Sequence, residues 1–309
     1  MVQAIDVSVR AQFDADNVFP KMKRCLDKKR GYPVAEHPCL DLATGLLVAS
    51  DGRIMAVHRL QGYSWQAKEG AQFDRVFLPA EVLDMKGTIK VTLSVVNWGD
   101  TLATVTDENN VTFSLQMTNH YPDWRACFGA VSSLPIVFGS KDWDKALKAF
   151  LPKGKDAYDY VRLSGTEKDS QFKLGLIYSD NESALPVAFM PLTFHVWFSG
   201  RYLRKVMTFQ PTTMRYCDAN RGSIFYNDDT IILLMPVSTE DEPSHIHAGD
   251  NDPSFRFDTW LNGDVKPAEQ PKPSKPKQKA ESKAKPAKDD FAAAILAAAR
   301  ELKKQRKIA

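Results

Sequence analysis

The 309-residue sequence predicts an α+β protein: two tandem domains of one plan, each with antiparallel sheets and two helices, followed by a tail. Three observations carry this. The stretch Phe194–Val237 runs from an alternating apolar segment through Ser199-Gly200, a helix-start signal, into an amphipathic segment, Arg201 to Phe209. It then returns as alternating strands at Thr213–Cys217, Ser223–Tyr226 and Thr230–Met235, a β-α-β-β-β unit. The same order of strand, helix and strands can be followed from the start of the chain, as a repeat of pattern only. After Val237 the composition changes, and the periodic signal is lost.

Taken in order, Ala4–Phe13 reads as an edge strand. Asp14 or Asp16 then caps a helix to about Arg30, with Pro20 tolerated inside its first turns. Met22, Cys25, Leu26 and Phe19 point this helix at a core, while Lys21, Lys23, Arg24, Lys28, Lys29 and Arg30 crowd its other side. Leu46–Val57 is an apolar hairpin around Asp51-Gly52, where the Ser50 hydroxyl suits a tight turn. A strand enters Pro79, which starts a short helix that ends before Gly87. Ile89–Val96, Thr101–Thr106 and Val111–Met117 follow as strands, separated by Asn97–Asp100 and Asp107–Asn110. The second domain begins near Leu134, with a strand at Val137–Gly139. Ser140 or Asp142 caps a helix, Trp143–Leu151, that carries Lys141, Lys145 and Lys148 on its polar side. Strands at Tyr160–Ser164, Phe172–Ser179 and Leu192–Phe198 lead back to the opening stretch. The predicted boundaries are residues 1–128 and 129–240 for the domains, 241–288 for a flexible Lys/Pro-rich linker and 289–309 for a C-terminal helix. Lys266–Lys288 holds eight lysines against Glu269 and Glu281, too few apolar groups to fold alone. Asp289-Asp290 caps the Ala-rich segment from Phe291, whose narrow stripe of Phe291, Ile295, Leu296, Ala299 and Leu302 suits folding on a partner.

Charge and composition narrow the function. Net charge is +3, but residues 241–309 hold 14 of the 41 Lys/Arg and 11 of the 38 Asp/Glu. That leaves 27 of each in residues 1–240, so any binding of nucleic acid must come from local clustering. Cys25, Cys39, Cys127 and Cys217 form no CxxC pair, which points to reduced thiols in a cytoplasm. No apolar run reaches the length of a membrane span, and Met1–Arg10 lacks a signal-peptide core. There is no Walker loop, no ordered Ser/His/Asp set, no metal cluster and no spaced catalytic carboxylates, as expected of a protein that is not an enzyme and needs no cofactor. His245 and His247 near Asp250 and Asp252 read as loop before metal ligands.

Several motifs, in this order, resemble the bacterial-type DNA sliding clamp, the DNA polymerase III beta subunit that serves as a polymerase processivity factor. They are Leu46–Val57 with its Ser-Asp-Gly turn, Phe77–Leu83, the connector Tyr121-Pro122-Asp123-Trp124-Arg125, Gly200-Arg201-Tyr202-Leu203 and Leu234-Met235-Pro236. Residues 1–128 resemble the middle domain of that family and 129–240 its last domain. Arg53-Ile54 departs from the usual His-Arg, Ala126 stands for a basic residue and Cys127 for a valine.

The resemblance implies two tandem clamp domains, with sheets outside and helices lining a channel that holds duplex DNA through its phosphates, without base specificity. Lys21, Lys23, Arg24, Lys28, Lys145, Lys148, Arg201, Arg204 and Lys205 would then face DNA, whereas Glu81 and Asp84 would not help. Bacterial clamps close as dimers of three-domain chains and two-domain clamps as trimers, six domains in either ring. Room for two domains here implies a homotrimer joined edge to edge. The family's groove for polymerase and clamp-loader peptides would be lined by Ser50, Gly52, Arg53, Ile54 and Met55, with Pro122, Ala126 and Cys127 beside them. Leu233 and Met235 would form its floor, and Cys39 or Leu40 would complete it. The reduced size and the tail point to a phage or mobile element, acting in a bacterial or phage-infected host cytoplasm. Two other readings stand beside this one. One is a clamp-derived adaptor in another DNA process such as transcription; the other is an α+β enzyme built on Asp51, Asp107 and Asp123, which read better as turn or connector residues.

Overall fold

The structure is a computed structural model, and it describes residues 7–69, 73–96, 100–118, 121–128, 131–132, 135–151, 160–165, 171–176, 182–189, 194–216, 222–237, 251–252 and 260. The strands of the first half are β1 (Val7–Asp14), β2 (Cys39–Asp41), β3 (Leu46–Ser50), β4 (Ile54–Arg59), β5 (Gln61–Ala67), β6 (Arg75–Phe77), β7 (Thr88–Val95), β8 (Thr101–Thr106) and β9 (Thr112–Met117). Then come β10 (Val131–Ser132), β11 (Ile136–Phe138), β12 (Tyr160–Gly165), β13 (Gln171–Leu176), β14 (Glu182–Phe189) and β15 (Phe194–Ser199). Last are β16 (Thr213–Arg215), β17 (Ser223–Tyr226), β18 (Thr230–Leu234) and β19 (Asn251–Asp252). The helices are α1 (Phe19–Lys23), α2 (Pro33–Glu36), α3 (Ser140–Phe150) and α4 (Gly200–Thr208), with 3-10 turns at Ala80–Asp84 and Trp124–Cys127. The linker, the C-terminal helix and the His245/His247 loop fall outside the described residues.

The chain forms two compact units. The first comprises residues 1–129, 208–212 and 221–235; the second comprises residues 130–207, 213–220 and 236–309. In the first unit one antiparallel sheet has the order β5-β1-β7-β8-β9. Its middle strands alternate: Val9, Ala11 and Phe13 of β1 and Ile89, Val91 and Leu93 of β7 are buried, with polar residues between them. A half-buried surface produces this pattern. The other set of strands runs β17-β18-β4-β3-β2-β6, and here β3 (LLVAS), β17 (SIFY) and β18 (TIILL) are buried along their whole length. Continuous apolar runs of this kind signal strands covered on both faces. Both α1 and α2 pack against β3.

The predicted helix from Asp14 to Arg30 contracts to the five residues of α1. Asp16 accepts the Val18 N–H at 2.9 Å just before it, and Pro20 sits in its first turn. Beyond Lys23 the Asp27 N–H turns away to the Ala35 carbonyl at 2.7 Å, which takes the backbone off the helix axis. The helix predicted after Pro79 is a 3-10 turn of five residues, closed by Gly87 at φ +65°.

The second unit holds the antiparallel order β15-β12-β13-β14-β11-β16 and the short pair β10-β19. Helix α3 buries Trp143, Ala146 and Leu147, which lie three and four residues apart and therefore on one face. Trp143 stacks on Phe138 of β11, with ring centroids 4.3 Å apart. Helix α4 buries Tyr202, Leu203, Val206 and Met207 in the same way. Antiparallel sheets with few helices agree with the α+β class that the sequence predicts. No helix among the described residues is long and apolar enough to cross a membrane.

One buried polar contact fixes the register of β18 on β4. Thr230 pairs with His58, whose Nδ1 lies 2.9 Å from the Thr230 hydroxyl, while Nε2 lies 3.5 Å from an Asp16 oxygen. Burial holds the imidazole below its ordinary pKa, against the pull of Asp16 and Asp229 in the opposite direction. The unfolded chain therefore takes up this proton first as pH falls through about 6.5, so the contribution is complete above that pH and is lost on acidification. We predict that the denaturant midpoint falls between pH 7.5 and pH 5.5, and that His58→Gln narrows the fall. A remainder will persist, because His37 is shifted in the same direction. An unchanged pH dependence in the variant would count against His58.

Candidate functional site

The site is built on the turn between β3 and β4. Ser50, Asp51 and Gly52 bring the chain round within three residues, and Gly52 takes φ +83°, which a side chain would oppose. The Ser50 hydroxyl accepts the Gly52 N–H at 3.1 Å and donates to the Ile54 carbonyl at 3.0 Å. Asp51 is buried and its Oδ1 accepts the N–H groups of Arg53 at 2.9 Å and Ile54 at 3.1 Å. The turn thus satisfies its own backbone, and the Arg53 carbonyl is left to accept the Met235 N–H at 2.9 Å.

That bond prolongs the β18–β4 ladder, in which Leu233 pairs with Met55 and Leu234 with Ile54. Leu233 and Met55 are nearly closed to solvent at 4% and 7%, whereas Met235 is 37% exposed and Arg53 is exposed. Both Leu233 and Met235 lie against Gly222. A Cβ there would come within 2.5 Å of the Leu233 Cδ1 and 3.2 Å of the Met235 sulfur, so a larger residue would have to displace both side chains. The result is a partly exposed thioether next to a turn that carries an exposed arginine, on a backbone fixed by side-chain hydrogen bonds. Such a surface suits an apolar anchor with an acidic neighbour.

Pro122, Ala126 and Cys127 are exposed on or beside the second 3-10 turn. Asp123 accepts the Arg125 N–H at 3.3 Å at its start, and Trp124 is buried beneath it. Arg125 reaches Asp41 of β2 at 2.6 Å, and Asp41 is fully buried. Asp123 also pairs with Arg75 of β6, and Tyr121 packs its ring 4.9 Å from Phe77. Sequence reasoning missed Asp41, Arg75 and Gly222, because their roles depend on partners far along the chain. Although Cys127 is open to solvent, partial desolvation by the surrounding protein, with Asp123 nearby, pushes its thiol up, which leaves it mostly protonated at neutral pH. Cys39 and Leu40 are both buried in β2.

No protein-family model and no curated protein matches the chain. Solved structures do. The Helicobacter pylori beta clamp bound to a DNA ligase peptide matches at TM-score 0.62 and 14% identity, over 77% of this chain and 68% of that one. A DNA polymerase sliding clamp from Pseudomonas aeruginosa matches at 0.59 and 17%, over 77% and 68%. One from Bacillus subtilis matches at 0.59 and 15%, over 77% and 67%. The chain has the sliding-clamp fold. It spans about two thirds of the length of the clamps it matches.

On this clamp fold the predicted cationic residues other than Lys28 lie on helices or directly after them, whereas Lys28 sits in a turn five residues beyond α1 because that helix is shorter than predicted. Lys23, Arg24 and Lys28 are exposed in or after α1, and Lys21 is half-buried. Lys145 and Lys148 are exposed on α3, with Lys148 paired to Asp144 one turn away. Arg201 and Arg204 are exposed on α4, and the Lys205 nitrogen lies 4.5 Å from the Tyr202 ring centroid. Among the described residues no cluster of three His, Cys, Asp or Glu side chains is placed to hold a metal. Of the carboxylates considered for catalysis, Asp51 and Asp107 cap turns and Asp123 caps a 3-10 turn.

Asp51→Ala removes the acceptor of two backbone N–H groups in a buried turn. We expect a loss of about 2 kcal/mol of unfolding free energy, measured by urea denaturation, while Gly52→Ala loses stability through its positive φ. A change below about 0.5 kcal/mol for Asp51→Ala, the range of ordinary surface substitutions, would show that the turn does not depend on it.

Proposed function

We propose that this protein is a DNA sliding clamp, a processivity factor that encircles duplex DNA and tethers replication proteins. The observation that carries the reading is a clamp fold with an exposed Met235 pinned beside the Ser50–Met55 turn. Residues 1–128 and 129–240 act as two clamp domains, with residues 208–212 and 221–235 of the second packed into the first compact unit, and three copies supply the six domains of a closed ring. Lys21, Lys23, Arg24, Lys28, Lys145, Lys148, Arg201, Arg204 and Lys205 face the duplex and contact phosphates. Contacts of this kind hold DNA at any sequence and so permit sliding.

Polymerase and clamp-loader peptides dock on the surface made by Ser50, Gly52, Arg53, Ile54, Met55, Leu233 and Met235, with Pro122, Ala126 and Cys127 beside it. A DNA ligase peptide bound to the Helicobacter pylori clamp supports a partner of this type. The absence of a basic side chain at Ala126 shifts the cationic contribution to Arg53 and alters peptide preference. The protein performs no chemistry of its own. It works in the bacterial or phage-infected cytoplasm, and its lysine-rich tail adds sequence-independent affinity for DNA.

Light scattering at micromolar concentration is expected to give about three times the 34.7 kDa chain mass, and a persistent monomer would exclude the ring. The protein should stay on nicked circular plasmid and leave once the plasmid is linearised; equal release from both forms would mean simple adhesion. Met235→Ala should weaken binding of the DNA ligase peptide about tenfold, as truncating a central apolar contact does. Equal affinity would remove Met235 from the docking surface.

A further inference from the structure

The cations assigned to DNA in the first unit are not all equally available. Helix α1 packs against the 3-10 turn Ala80–Asp84, and that turn presents two carboxylates to the basic segment. Asp84 pairs with Lys23 at 2.5 Å, and Glu81 lies 3.8 Å from Lys28. These are contacts between elements about 60 residues apart in sequence. Lys21 and Arg24, on the same segment, have no ion-pair partner among the described residues. Both pairs are open to water, with Lys23 and Asp84 44% and 55% exposed and Lys28 and Glu81 64% and 40%.

We propose that Glu81 and Asp84 compete with DNA phosphate for Lys28 and Lys23, and so set how loosely this unit holds a duplex. The idea rests on the reading of this surface as facing DNA. An exposed ion pair favours its bound form by about fivefold at most, so a phosphate can displace each carboxylate. Each exchange replaces one anion by another at the same ammonium group, and therefore gains little. The freed carboxylate also stays close to the duplex and repels it over about a Debye length, ~10 Å at 0.1 M salt. Lys23 and Lys28 thus change partners cheaply as the duplex moves past. Two fully available lysines would instead grip it.

The test compares full-length wild type with Glu81→Gln/Asp84→Asn, and with Glu69→Gln/Asp228→Asn as a control. The control makes the same change in net charge at two exposed acids that have no ion-pair partner in the described structure. Binding of a fluorescent 30-base-pair duplex is measured by anisotropy at 50 mM and 500 mM salt. We expect Glu81→Gln/Asp84→Asn to bind about tenfold tighter at 50 mM salt, with a steeper salt dependence, and to match wild type at 500 mM. The control should change less than threefold. Lys23→Ala should weaken binding several-fold more in an Asp84→Asn background than in wild type. A double variant no tighter than the control overturns the proposal, as does an equal cost of Lys23→Ala in both backgrounds. Wild type that leaves circular plasmid as fast as linear would overturn encirclement, while the affinity comparison would still decide the role of the two carboxylates.

Discussion

The antiparallel ladder between Ile54–His58 and Thr230–Leu234 is the contact on which the first unit depends. It joins segments 172 residues apart in sequence, so it forms only after a long loop has closed. What offsets that cost is burial, since every residue from Thr230 to Leu234 and from Ile54 to His58 is buried. Fully burying a Leu or Ile side chain contributes about 2 kcal/mol. A slip of one residue would exchange the faces of Leu233 and Leu234, and would separate Thr230 from His58. The bond between His58 and Thr230 marks one end of the ladder, and the bond from Met235 to Arg53 marks the other. Met235 is therefore exposed because the register carries it one step past the last paired residue.

Signals held within a few residues were legible in the sequence. The Leu46–Val57 hairpin, with Asp-Gly at its turn, combines an apolar run with residues that tolerate a positive φ, and both strands appear close to their predicted limits. Helix α3 shows the three-and-four spacing of Trp143, Ala146 and Leu147. Strand β2 escaped because three residues cannot display a period. Strand β5, Gln61–Ala67, escaped because it is an edge strand with almost no buried side chain, so its polar sequence reads as loop. At the candidate site, the Ser50 and Asp51 side chains could be read as turn residues from their positions alone. The partnership of Arg53 with Met235, the close approach at Gly222 and the reach of Arg125 to Asp41 are long-range contacts that no local pattern encodes.

Two kinds of ion pair in the same unit have different consequences. Asp41 is fully buried, accepts from the Thr44 hydroxyl at 2.7 Å and meets Arg125 at 2.6 Å. Removing the arginine would strand a buried charge at a cost of about 3–5 kcal/mol, so this pair fixes the turn that carries Ala126 and Cys127. Lys23–Asp84 and Lys28–Glu81 are open to water and contribute little to stability. The difference lies in solvent access rather than distance, since Arg125–Asp41 and Lys23–Asp84 are almost equally short.

Charge on the remainder of the molecule follows from the same distinction. Residues 1–240 carry as many acidic as basic side chains, so a general positive field would not account for the proposed attraction to nucleic acid. What remains is placement: lysines and arginines on α1, α3 and α4 project from helices whose opposite faces are held down by Met22, Trp143 and Leu203. An apolar stripe fixes the helix, and under the proposed reading a flexible cationic stem on the other side would let the charge change partners as a phosphate moves past. If closure of a ring prevents loss of the duplex, these contacts need supply only alignment. A neutral body with weakly engaged lysines is then better suited to sliding than a strongly basic one, because every tight contact would add a barrier to each step along the DNA.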